Sequence, residues 1–247
     1  MSIFSGFNEK NKVITREDIN KITRFNPINV SCYQQAFIHK SVLRFLADQP
    51  EESPKTSYER YEFLGDSVLN LIVANFIFNK YPDKEEGFLT RIRTKLVNGK
   101  TLAYLAKKIN LGEFLIISKN VENIGGRIND RILEDIFEAF LCSLHIDMGF
   151  KYVEIFVIRL ITEHIDMDEV EEDTNYKDIL LRHCQQNLHV NPLYELVSTT
   201  GPAHNKTFKS IVIINGDRHS EGTGKNKKSS EQLASKSTLE SFGFCFS

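Results

Sequence analysis

The feature that most constrains this chain is a change of hydrophobic period roughly two-thirds of the way along it. Upstream, apolar residues recur at helical spacing. Between 58 and 80, Phe63, Leu64, Val68, Leu69, Ile72, Val73, Phe76 and Ile77 form a wide stripe that ends at Tyr81-Pro82. Between 130 and 148, Ile132, Leu133, Ile136, Phe137, Phe140, Leu141 and Leu144 form a second, stopped by Gly149. Shorter helices are expected at 88–98 and 100–109, and a further apolar one at 151–164. The first 165 residues therefore read as almost entirely helical.

An acidic run from Asp166 to Asp173 offers little to bury and reads as a solvated linker over 166–174. Beyond it the pattern turns to helix 176–186, strands 193–198, 207–214 and 218–222, and helix 229–242. The second strand, Thr207-Phe-Lys-Ser-Ile-Val-Ile-Ile214, is β-branched and partly alternating, and Asn215-Gly216 after it is a strong hairpin signal. The expected organisation is an all-α domain over 1–165, the linker, and a small α+β module of order α-β-β-β-α over 175–247. A length of 247 residues suits one large domain or two ordinary ones.

Composition narrows the setting. No run approaches the ~20 apolar residues of a membrane span, and the N-terminal stretch lacks the features of a secretory signal. Cys32, Cys142, Cys184 and Cys245 are scattered, which argues against a disulfide framework or structural zinc and for a reducing compartment. An intracellular, cytoplasmic location is expected, with the nucleus left open. The net charge of −2 hides an asymmetry: residues 175–247 carry nine Lys/Arg against six Asp/Glu, while the remainder is acidic. A slightly basic tail on an acidic body hints at an anionic partner for the tail.

Two acidic pairs are hard to explain as packing. Glu62 and Asp66 lie four residues apart on the first striped helix, and Asp135 and Glu138 three apart on the second. Each pair shares a helix face, where like charges destabilise by ~0.2–0.5 kcal/mol. Carboxylates leaning inward among apolar residues need protons or a cation, and all-oxygen ligation suits magnesium or manganese. The alternative is a solvated face, or ion pairs with Lys/Arg on a neighbouring helix. No Glu-x-x-His pattern occurs in these helices, which argues against a di-iron carboxylate bundle.

Glu59-Arg-Tyr-Glu-Phe-Leu-Gly-Asp-Ser-Val-Leu69 closely resembles the signature of the ribonuclease III family. Ala36-Phe-Ile-His-Lys-Ser-Val42 stands where that family has a His-Arg-Ser-like motif, and Arg131-Ile-Leu-Glu-Asp-Ile-Phe-Glu-Ala139 resembles its second acidic motif. Leu96-Val97, Thr101-Leu102-Ala103 and Leu111-Gly112-Glu113 fall between them in family order. The C-terminal module resembles a double-stranded RNA-binding domain. Its expected contacts are Gln185 or Gln186 on the first helix, the loop Gly201-Pro202-Ala-His204, and Lys225, Lys227 and Lys228 before the last helix. Glu231 stands where the family often has another basic residue, a departure expected to weaken RNA affinity.

The resemblance implies a divalent-metal-dependent endoribonuclease that cuts double-stranded RNA. It makes Glu62, Asp66, Asp135 and Glu138 the catalytic and metal-holding carboxylates, with Mg2+ as cofactor and Mn2+ as substitute. It predicts 5′-phosphate and 3′-hydroxyl ends, short 3′ overhangs, and a homodimer to which Phe63-Leu64-Gly65 contributes. It assigns Glu59 and Arg60 supporting roles at the dimer or RNA surface. Glu86 reads as an RNA-proximal acid or a solvated one, and His39 as a structural histidine. Binding of duplex RNA is expected to follow shape and phosphates rather than base sequence. A non-catalytic RNA-binding protein of the same fold is the alternative. The stretch 48–57 reads as an inserted surface loop.

Overall fold

The computed structural model describes residues 8–43, 56–171, 175–202 and 206–246, and divides the chain into units ending and beginning at Glu171 and Glu172. In the first unit the helices are α1 (Arg16–Thr23), α2 (Val30–Gln35), α3 (Glu59–Lys80), α4 (Glu86–Leu96), α5 (Gly99–Lys108), α6 (Lys119–Asn123), α7 (Asp130–Met148), α8 (Phe150–His164) and α9 (Met167–Glu171).

The middle of α7 is apolar over most of its surface apart from one acidic face, and Leu133, Ile136, Phe137, Ala139, Phe140, Leu141 and Leu144 are all buried. Such a helix must run through a core rather than over it. Asn129 starts it by accepting the amides of Arg131 and Ile132, and Gly149 ends it at φ 87°, a conformation open to glycine. Its main partner is α3, which buries Val68, Leu69, Ile72, Val73 and Ile77. By length and hydropathy α3 resembles a membrane-spanning helix; part of its apolar character is these core residues, and part is an exposed face carrying Phe63, Leu64, Leu71 and Phe78.

The stretch is not uniformly helical. Residues around Ile38 and Ile116 form an isolated parallel bridge, and His39-Lys40-Ser41 makes a tight corner beside it. The acidic 166–174 stretch contains the boundary between the two units, and its first part, Met167–Glu171, is a short helix with no buried residue. Arg91 and Lys95 of α4 donate to the carbonyls of Glu171 and Val170, and the Tyr81 hydroxyl donates to Glu171 Oε1 at 2.5 Å. Basic side chains on α4 supply what composition alone could not show, a partner for the acidic segment.

The second unit contains α10 (Tyr176–Leu188), β1 (Leu193–Thr200), β2 (Thr207–Ile214), β3 (Asp217–Gly224) and α11 (Lys227–Ser241). The strands form an antiparallel sheet of order β1-β2-β3. The hairpin at Asn215-Gly216 has φ of 56° and 89°, the left-handed pair its sequence requires. Tyr176, Leu180 and Cys184 of α10, Val212 and Ile214 of β2, and Ala234 and Leu239 of α11 make a separate small core. Gly222 lets α11 lie directly on β3, since a methyl group there would strike the backbone at Ser230 and Ala234.

Candidate active site and RNA-binding face

Gly65 sets the acid cluster. It lies on α3 between Glu62 and Asp66, and a Cβ added to it would collide with the carbonyl of Glu138 on α7. The backbones can touch there only because no side chain intervenes. The close crossing brings the acidic faces of two helices against each other.

Glu138 lies deepest, 8% exposed, with its pKa pushed up to about 8 by burial and then by the charges of Asp66, Glu134, Glu62 and Asp135. These four neighbouring charges are all negative. Burial also raises Glu62, reinforced by Asp135, and raises Asp135, opposed by a hydrogen bond from Tyr58 and by Arg131 and Lys40. The sequence-derived quartet is therefore gathered, and its members sense one another. Among the described residues no three of them close to ligand spacing.

Supporting contacts differ from one acid to the next. Asn70, one turn along α3, donates to Asp66 Oδ1 at 2.7 Å. The Tyr58 hydroxyl donates to Asp135 Oδ2 at 3.1 Å. Glu59 accepts from Lys40 Nζ at 3.1 Å and from Ser57 Oγ at 2.9 Å, so it is tied to the His39-Lys40-Ser41 corner. Arg60 is exposed on α3, and Glu86 is exposed at the start of α4. His39 is structural: burial and the neighbouring Lys40 push its pKa down, and its Nδ1 accepts the Ser41 amide at 3.0 Å.

The sequence reading missed Glu134. Its pKa is raised by burial and then by Asp135, and its carboxylate lies over Gly99 at the first turn of α5. The signal was present, since Glu134-Asp135 and Glu138 form an acidic triplet within one turn.

In the second unit, Lys227 and Lys228 occupy the first turn of α11, where Asn226 and Ser229 close a capping box. Lysine there opposes the helix dipole, which favours anions at an N-terminus. With Lys225 they form an exposed basic edge. Pro202 is exposed in the β1–β2 loop; that loop leads into β2 where Phe208 pairs with Gly224, so it shares an end of the sheet with the lysine run. His204 lies outside the described residues.

Lys228 and Gln232 of α11 line a cleft of about 440 Å³ with Asp178 and Leu181 of α10. At about 100° per residue, Gln185 stacks one turn beyond Leu181 on that side, and Gln186 turns away from it. Gln185 also donates to Asn191 at 3.0 Å. Glu231 faces inward, paired with Lys177 of α10 at 2.6 Å. Its charge joins the module's two helices, which is why an acid stands at this place.

Two family models match this chain: "Ribonuclease-III-like" over residues 29–165 and "Double-stranded RNA binding motif" over 176–241. The chain belongs to the ribonuclease III family. Putative protein A464R of Paramecium bursaria Chlorella virus 1 is 36% identical over 94% of this chain and 80% of its own length. Ribonuclease 3 of Listeria welshimeri is 37% identical over 88% of this chain and 93% of its own. A nuclease domain of ribonuclease III from Campylobacter jejuni, solved with reference to flexibility in a region involved in dimer formation, covers 61% of this chain and 99% of itself. It superposes with a TM-score of 0.53 at 32% identity. The protein is a ribonuclease III-type endoribonuclease with a helical nuclease domain followed by a double-stranded RNA-binding domain.

Proposed function

We propose that this ribonuclease III cuts duplex RNA with a divalent metal held by Glu62, Asp66, Asp135 and Glu138, releasing 5′-phosphate and 3′-hydroxyl ends. The observation that carries the reading is Glu138: a buried carboxylate, pushed up to about 8 by burial and four neighbouring acids, at a crossing kept open by Gly65. A packed core gains nothing from such a group, and a buried charge without a counter-ion is strongly unfavourable. The donor set is all carboxylate, which fits Mg2+, with Mn2+ able to replace it. When bound, the cation supplies charge neutralisation at the scissile phosphate and activation of water.

The chain's own residues do the positioning. Asn70 holds Asp66, so at least one of the four acids is oriented before RNA arrives. In the reaction the water oxygen bonds to phosphorus, the bond from phosphorus to the 3′ oxygen breaks, and that oxygen takes up a proton. The RNA-binding domain holds the duplex through Lys225, Lys227 and Lys228, with Gln185 rather than Gln186 on the same side.

A homodimer is supported by α3. Phe63, Leu64, Leu71 and Phe78 are exposed, and 64, 71 and 78 recur at a heptad spacing that keeps them on one face. Two copies joined about a two-fold axis would bring two sites to one duplex, one per strand, and so leave short 3′ overhangs. A reducing interior suits the four free thiols, and we place the enzyme in the cytoplasm.

The test is to incubate long duplex RNA with the purified chain, with Mg2+ and with EDTA, beside Glu138→Gln. The expected result is Mg2+-dependent fragments bearing 5′-phosphates, reduced on the order of a hundredfold or more in the variant. Binding without cutting in both Mg2+ and Mn2+ overturns the reading in favour of a non-catalytic RNA-binding protein.

A further inference from the structure

Tyr58 is 3% exposed, and both its ends are fixed. Its amide donates to the Ile38 carbonyl at 2.9 Å, and its hydroxyl donates to Asp135 Oδ2 at 3.1 Å, across 77 residues of sequence. Its ring lies beside the His39 imidazole, with centroids 5.9 Å apart and planes inclined at 51°. His39 is itself locked, since its amide donates to Ile116 at 3.1 Å and its Nδ1 accepts from Ser41. Ser41 Oγ in turn accepts the Ser118 amide at 3.0 Å. The His39-Lys40-Ser41 corner thus forms a rigid wall behind a tyrosine whose one polar atom touches a carboxylate of the site.

We propose that Tyr58 is a positioning residue of the cleavage site, its hydroxyl fixing the orientation of Asp135 toward the divalent ion. This rests on the metal reading given above. A hydrogen bond to Oδ2 restrains rotation of the carboxyl group and leaves Oδ1 without that partner. Outer partners of this kind orient ligating carboxylates, and their loss typically weakens metal affinity or activity ~10–100-fold.

The bland alternative is that a buried phenol has merely found an acceptor, as buried tyrosines usually do. The same domain contains a control, whose aspartate also accepts the Ile28 and Asn29 amides. Tyr33 is fully buried and donates to Asp147 Oδ2 at 3.0 Å. Asp147 also lies on α7, about 18 Å along the helix from Asp135 at ~1.5 Å per residue. Removing either hydroxyl deletes one buried tyrosine–aspartate bond, but only Tyr58 adjoins the acid cluster.

The experiment compares wild type, Tyr58→Phe and Tyr33→Phe by calorimetric titration of the full chain with Mn2+ in the absence of RNA. Mg2+ dependence of cleavage is measured in parallel. Tyr58→Phe is expected to weaken Mn2+ binding and raise the half-saturating Mg2+ roughly tenfold. Tyr33→Phe is expected to leave both unchanged, and both variants are expected to bind duplex RNA in EDTA as wild type does. Wild-type Mn2+ affinity in Tyr58→Phe overturns the proposal, as does an equal loss in Tyr33→Phe. A wild-type chain that takes up no Mn2+ overturns the metal reading and this proposal together, an outcome distinct from the other two.

Discussion

The acid cluster and the basic edge of the RNA-binding domain both place charge where a helix does not want it, but they do so in opposite settings. On α3 and α7 the carboxylates are crowded at a backbone crossing, and Glu138 is buried. At the start of α11 the lysines are exposed, on the positive end of a helix, open to solvent. Burial multiplies electrostatic effects and exposure screens them. The nuclease site should therefore be intolerant, cooperative and pH-sensitive, whereas the RNA-binding edge should be additive, forgiving and salt-sensitive.

The largest effect should come from the crossing itself. Gly65→Ala puts a methyl group into the Glu138 backbone, which cannot turn aside as a side chain can. Overpacking of this kind costs about 1–3 kcal/mol, and α3 must separate from α7 by enough to misplace Glu62 and Asp66. Cleavage should fall at least as far as in Glu138→Gln, with a lowered melting temperature. Gly87 of α4, which has open space around it, is the comparison, and Gly87→Ala should leave both readouts unchanged. If Gly65→Ala melts and cleaves like wild type, the crossing does not define the site.

A second prediction separates function from stability. Glu138 has an ordinary value of 4.5 and is pushed up to about 8 in the fold, so the folded state holds its proton more tightly than the unfolded state. That contribution is fully present below about 4.5 and is lost as pH rises through about 8. Glu62, Glu134 and Asp135 are also raised, chiefly by burial, and act in the same direction. In EDTA the wild-type nuclease domain should lose stability between pH 5 and about 8.5, and Mg2+ should restore it. Glu138→Gln should flatten that slope and melt higher than wild type at pH 8.5 without metal, while failing to cut RNA. Thermal melts at both pH values check this; a variant no more stable than wild type at high pH would mean that burial and repulsion are not what Glu138 experiences.

How legible each region was follows from the range of its interactions. The span of α7 could be read directly, because Asn129, the apolar stripe and Gly149 are local signals. The acidic quartet was legible through its spacing and its motif. What holds it was not: Tyr58 reaches Asp135 across 77 residues, and helical periodicity carries no record of such a bond. The short helix inside the acidic stretch at 166–171 is illegible for the same reason, since its partners Arg91 and Lys95 lie on α4. Glu231 looked like a defect in a basic edge until its partner Lys177 came into view. The early start of α11, by contrast, could have been found. Asn226 and Ser229 stand at capping-box spacing, and the lysines between them are already helical.

The smallest effect belongs to those lysines, and it has two signs. Lys227→Ala or Lys228→Ala should each weaken binding of duplex RNA and reduce the slope of log affinity against log salt by about 0.9 for each phosphate no longer neutralised. The loss should be similar for unrelated duplex sequences, because phosphates carry no sequence information. Removing a positive charge from the first turn of α11 should at the same time stabilise the free module by about 0.3–1 kcal/mol at low salt. Melting the free chain and titrating it with duplex RNA at two salt concentrations would measure both signs on one variant. The pair Lys227→Ala and Lys228→Ala should combine nearly additively, as exposed charges do, whereas Gly65→Ala and Glu138→Gln share one crossing and should not. Lys227 complicates the contrast in a measurable way, since it lies 4.0 Å from Glu231. Part of its effect should therefore appear as the loss of an i,i+4 pair within α11, and Lys228→Ala is the cleaner report on RNA.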